Sequence, residues 1–195
     1  MEANTSLSHT SAPGLRERLA GLVSTRDSRS RNGVATRRRK DEPTLRLDRY
    51  LSDSRARVLH HCRLPGRRGE IGHIIIGPAG VTVVDSSHYG DGRAKVGRGT
   101  LKIGRRKRSD LVEAVLDQAR GVRELLADTP YSEVDVEGAI ALREVEGLPT
   151  LHSFNAPRVM VCGTRKIAGE ASRRGPLSTR RVNALASFLE RALSV

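Results

Sequence analysis

Residues 69–92 read GEIGHIIIGPAGVTVVDSSHYGDG. The run Ile74-Ile75-Ile76 and the near-continuous Val81-Thr82-Val83-Val84 are apolar without alternation, the pattern of strands covered on both faces. Between them, Gly77-Pro78-Ala79-Gly80 predicts a tight turn, because proline fixes φ and glycine accepts φ > 0. The second strand ends on a carboxylate, Asp85, followed by Ser86, Ser87, His88 and Tyr89. The stretch is therefore a buried hairpin with a polar end.

Outward from this hairpin, the pattern alternates between strand and helix. Upstream, Leu45, Leu47, Tyr50 and Leu51 suit a helix to about Ser54, and Arg57–Cys62 a short strand. Downstream, Arg93–Val96 and Thr100–Ile103 predict a small exposed hairpin turning at Gly97 and Gly99. A helix follows with Ser109 as its N-cap, Asp110 and Glu113 in its first turn, and a stripe of Leu111, Val112, Val115, Leu116, Ala119, Val122 and Leu126. Strands are expected at Val134–Leu142 and Arg158–Val161, a short helix at Gly163–Ala171, and a last helix capped by Ser178 with Val182, Leu185, Phe188, Leu189 and Leu193 inward. This order gives an α/β fold with a mixed central β-sheet flanked by helices.

Residues 1–41 are a different kind of sequence: rich in Ser and Arg, without aromatic residues, and ending in a basic run at Arg37-Arg38-Arg39-Lys40. They read as a disordered N-terminal tail before a domain of residues 42–195. Within the tail, Leu15, Leu19, Leu22 and Val23 share one helical face that could recruit a protein partner. No apolar run reaches the ~18 residues of a membrane span and no secretory signal is visible, so a cytoplasmic location is expected. Cys62 and Cys162 then read as reduced, buried thiols.

The net charge is +13. Residues 1–40 hold nine Lys/Arg and three Asp/Glu, an excess of six; the remaining 26 and 19 give an excess of seven. Both parts are basic, which favours an anionic partner, nucleic acid first. The densest run is Arg93, Lys95, Arg98, Lys102, Arg105, Arg106, Lys107 and Arg108, with no acid and no aromatic residue among residues 93–108. Such a ribbon suits phosphate contact without base stacking or sequence readout.

The hairpin also carries a family resemblance. Ile71-Gly72-His73 through Gly77-Pro78-Ala79-Gly80-Val81 to Val84-Asp85-Ser86-Ser87-His88-Tyr89 resembles the nuclease-related domain (NERD) family, whose fold resembles the PD-(D/E)xK restriction endonucleases. Members read approximately I-D-H, a hydrophobic residue, V-G-P-x-G-V-x-V-V-D-x-K-x-Y. Val58-Leu59-His60, Leu64-Pro65-Gly66, the helix at residues 111–126, Gly147-Leu148-Pro149, Arg165-Lys166 and Gly175-Pro176-Leu177 follow the family's order. The resemblance implies a phosphodiester nuclease in which two carboxylates hold Mg²⁺ or Mn²⁺ and a lysine adds positive charge.

This chain departs from that pattern at two of the three positions. Gly72 stands where the first Asp is expected and Ser87 where the Lys is expected; Asp85 alone remains as a metal ligand. Three functions follow. The first is an inactive or impaired nuclease-related protein that binds nucleic acid, DNA in the first instance, and needs no cofactor. The second is an active enzyme with a relocated site of Glu70, Asp85 and Lys95, where Glu70 lies two residues before Gly72 on the same strand face. The third is a scaffold recruited through the tail.

Overall fold

A computed structural model describes residues 42–86, 94–97, 100–142, 152–153 and 159–193. The tail, including Leu15–Val23, lies outside these residues, as do Ser87–Gly92, Arg93, Arg98 and the turn at Gly147. Residues 40–195 form one compact unit.

The described chain runs α1 (Glu42–Leu51), β1 (Arg57–Cys62), β2 (Ile71–Gly77), β3 (Gly80–Asp85), β4 (Ala94–Gly97), β5 (Thr100–Ile103), β6 (Arg106–Lys107), α2 (Ser109–Leu126), β7 (Val136–Ala141), β8 (His152–Ser153), β9 (Val159–Cys162), α3 (Thr164–Ser172) and α4 (Thr179–Ala192). Six strands form a mixed sheet in the order β1-β2-β3-β7-β9-β8. β1, β2 and β3 are antiparallel neighbours, β3, β7 and β9 are parallel, and β8 returns antiparallel to β9. β4, β5 and β6 make a separate antiparallel sheet.

Strand alternation sends β2 and β3 side chains into two cores. Ile74, Ile76, Val81 and Val83 pack with Ala119, Val122 and Leu126 of α2 and Val182, Leu185 and Leu189 of α4. Ile75 and Val84 pack on the other face with Leu47 and Leu51 of α1 and Ile167, Ala168 and Ala171 of α3. That two-sided cover is why the apolar runs lack alternation; burying one such side chain contributes roughly 1.5–3 kcal/mol.

The hairpin turn is a packing device more than a flexible one. Gly80 takes φ +137°, as a turn glycine should. Gly77 does not rely on that freedom: a Cβ there would lie 1.9 Å from the Ala171 carbonyl oxygen, so α3 reaches the strand only over a glycine. The turn is tied down further by Leu177 N–H donating to the Pro78 carbonyl at 3.0 Å.

Several boundaries move from the sequence expectation. α1 stops at Leu51 because Ser54 turns back, its N–H and its hydroxyl both donating to the Leu51 carbonyl. Ser109 is the first residue of α2, not its cap. Arg108 occupies the cap position without a side-chain cap bond, and its N–H donates to Leu101 O at 2.8 Å. The chain passes directly from β6 into the helix, so a strand contact holds the entry that a serine was expected to hold. Ser178 does cap α4, its Oγ accepting from Arg181 N–H at 3.3 Å. The short strands β6 and β8 have no sequence signal of their own; pairing with β5 and β9 makes them strands.

Candidate functional site

The polar end of the β2–β3 hairpin opens into a cleft of about 280 Å³ lined by His61, Glu70, Gly72, His73, Asp85, Ser86 and Gln118. β2 and β3 carry three of these residues, Gly72, His73 and Asp85, and Ser86 directly follows β3. His73 and Val84 are the last register pair of the β2–β3 ladder, and Gly72 and Asp85 are the next residues beyond it on the two strands. The two positions at which the family resemblance expects carboxylates are thus both at this end of the hairpin, one of them occupied by glycine. A Cβ on Gly72 would come 3.2 Å from the Val84 carbonyl oxygen, tight against backbone.

Glu70 precedes β2 and is held in place by several contacts. Its Oε1 lies 2.6 Å from His61 Nδ1 and its Oε2 lies 3.8 Å from the Arg63 guanidinium. Its carbonyl accepts from Gln118 Nε2 at 3.3 Å. His61 has φ +55°, which breaks the extended conformation of β1 next to the cleft and aims its ring at Glu70. Gln118 is a residue that sequence reading missed. It flanks the apolar stripe of α2 three residues after Val115, and a polar side chain beside a core-facing stripe was the available signal. Its Oε1 is buried and has no hydrogen-bond partner.

On the α1 side of the same hairpin a second polar group forms a chain. Asp48 Oδ1 lies 2.9 Å from His60 Nε2, His60 Nδ1 lies 2.8 Å from His73 Nδ1, and His73 Nε2 lies 2.6 Å from Ser86 Oγ. His60 and His73 are register partners on β1 and β2, which is what brings the rings together. His73 is only 1% exposed, one of three buried polar residues among those described, with Thr44 and Thr82.

The structure therefore brings Glu70 and Asp85 to one cleft. Lys95 is elsewhere, exposed on β4 with Lys102 as its register partner, and is not among the residues lining the cleft. Among the described residues, no three His, Cys, Asp or Glu side chains gather closely enough to hold a metal ion. Mg²⁺ wants near-octahedral oxygen coordination, and this cleft offers Asp85 next to a glycine and a Glu70 carboxylate already engaged by His61 and Arg63, a poor fit.

The basic segment is built differently. Ala94, Leu101 and Ile103 are buried with Val115, Ile140, Val159 and Val161, so the alternate residues Lys95 and Lys102 face outward. Arg105, Arg106 and Lys107 are exposed as well. Arg108 is engaged by Asp110 at 3.1 Å, and that hydrogen bond holds the Asp110 carboxyl below its ordinary range. Arg93 and Arg98 lie outside the described residues. The sheet is linked to the cleft through the core: Ile140, packed with Leu101 and Ile103, is the register partner of Asp85.

Cys62 and Cys162 are free and buried, and burial pushes both thiols up to about 11, Cys62 with a further contribution from Glu70. No described helix is long and apolar enough to cross a membrane.

The hairpin, its flanking helices and the polar cleft at the sheet end are the frame of a nuclease-like α/β domain. No curated protein and no solved structure matches this chain. The family model for the nuclease-related domain matches residues 38–143, just over half of the 195-residue chain, and the chain belongs to that family.

Proposed function

We propose that this nuclease-related domain no longer cleaves through a metal and instead binds nucleic acid, DNA in the first instance, along its phosphates. The observation that carries this reading is that Gly72 and Asp85, the next residues beyond the last β2–β3 register pair, line one cleft. With glycine at position 72, Asp85 is the one acid at the motif's carboxylate positions, too few to hold Mg²⁺ well, and the lysine expected two residues after it is Ser87. Binding is supported by the exposed Lys95, Lys102, Arg105, Arg106 and Lys107, in a segment, residues 93–108, with no acid and no aromatic residue. Phosphate contact of this kind fixes position without reading bases and weakens steeply with salt.

A second reading has one observation in its favour. Gln118 lines the cleft and its Oε1 is a buried acceptor with no hydrogen-bond partner, so a cation held by Asp85 and Glu70 could use it. The two readings separate in one experiment. Full-length protein and its Asp85→Ala variant are incubated with plasmid and single-stranded DNA in Mg²⁺ or Mn²⁺, and scored in parallel for cleavage and for gel retardation. Retardation at low salt by both proteins with no cleavage supports binding. Cleavage by wild type that Asp85→Ala abolishes overturns it and makes Glu70 the next residue to change.

A further inference from the structure

The chain Asp48–His60–His73–Ser86 has its protons fixed by its first member. A carboxylate only accepts, so His60 Nε2 carries the proton in the 2.9 Å contact with Asp48. A neutral His60 then presents Nδ1 as an acceptor, and the proton in the 2.8 Å contact belongs to His73 Nδ1. Nε2 of His73 is left as an acceptor, so the Ser86 hydroxyl donates to it across 2.6 Å. Each member sets the tautomer of the next, and the chain ends with a serine whose proton points at an imidazole base. Ser86 also lines the cleft, while His73 behind it is shielded from water.

We propose that Ser86 is a nucleophile, with His73 as its general base and His60 and Asp48 as positioning residues, and that the cleft takes a small uncharged ester. Ser86 Oγ would bond to the ester carbonyl carbon. Its proton moves to His73 Nε2, while the Nδ1 proton of His73 passes to His60 Nδ1, leaving the positive charge on His60 beside Asp48. The carbon–alkoxide bond then breaks, the alcohol departs with the proton returned through His73, and water releases the acyl group by the same path. The choice of an uncharged substrate follows from Asp85 and Glu70, whose carboxylates on the same cleft disfavour a phosphate anion that no metal screens. Neither the serine nor the two positioning residues belongs to the metal-dependent chemistry that the family implies, so the inference stands apart from the proposed binding function.

The test uses an uncharged fluorophosphonate on the full-length protein. The Oγ–phosphorus bond forms, fluoride leaves with the bonding pair, and the proton goes to His73. Peptide mass mapping should place the adduct on Ser86 at least about 100-fold faster than on the exposed Ser52, the range expected for a positioned base. Ser86→Ala should remove that adduct, and His73→Gln should slow it to the Ser52 rate. Asp48→Asn should slow it by at least about tenfold and Asp48→Glu should recover part of the loss, a rescue that a purely structural aspartate would not show. A Ser86 rate in folded wild type no greater than that of Ser52 overturns the proposal, whether or not any variant folds. So does a Ser86 rate unchanged in Asp48→Asn.

Discussion

The two ends of the β2–β3 hairpin are held in opposite ways. At the turn, Gly77 is pressed against Ala171 of α3, Pro78 and Ala79 against Gly175, and Gly80 against the backbone of Asp135. At the other end, the same two strands carry His73 and Asp85, Ser86 follows directly, and Gly72 lines the cleft beside them. One end is closed by packing and tolerates no added atom. The other is held by hydrogen bonds and keeps a cleft. The fold is secured at the first so that polar groups can be placed at the second.

Gly77→Ala is the largest expected effect, since its methyl would overlap the backbone oxygen of Ala171. A loss of roughly 3 kcal/mol is expected in the denaturant midpoint, and a loss below roughly 1 kcal/mol would mean that α3 is free to shift.

Next come the thiols, which report on the closed core around both ends. Their unfolded value is near 9 and their folded value about 11, so the folded state prefers the protonated form. Their contribution is present in full below pH 9 and is lost as pH rises from 9 through 11. At pH 8 the folded chain should react with a thiol reagent only as fast as it unfolds, and prompt reaction of Cys62 would show that the cleft end breathes.

Gly72→Asp tests the open end with a smaller cost, about 1 kcal/mol, because a Cβ there meets one carbonyl at 3.2 Å and not at 1.9 Å. Combined with Ser87→Lys it restores both missing motif groups. Mn²⁺-dependent nicking of plasmid by the double variant but not by wild type is the expected result.

The smallest effect on stability is expected at the basic sheet. Replacing Lys102 and Arg106 by Ser should leave the melting temperature within about 2 °C. It should lower the slope of log affinity against log salt for DNA by about one per residue removed. An unchanged slope would move the nucleic-acid surface elsewhere.

Much of the fold was legible because periodicity is local. The unbroken Ile74–Ile76 and Val81–Val84 runs announced two-sided burial, the α2 stripe announced its core face, and Ser178 announced a helix start. Ser109 misled because its capping tendency was outweighed by the strand contact of Arg108, which sequence spacing does not register. The site was half legible. Asp85 and the losses at Gly72 and Ser87 are one-dimensional facts, and Glu70 does share the cleft. Lys95 was placed near it by strand order, but the hairpin belongs to a separate sheet.

The sequence by itself determined the charge, the two-faced strands and which residues, Gly72, Asp85 and Ser87, stand at the positions the resemblance singles out, because each depends on composition or on neighbours within a few positions. Tertiary structure alone decided that His60 faces His73, that Asp48 of α1 reaches His60, that Gln118 of α2 closes the cleft and that Lys95 does not. Those outcomes rest on strand register and on how helices seat on a sheet. Residues far apart in the chain then meet at hydrogen-bond distance, and no local pattern encodes such a meeting.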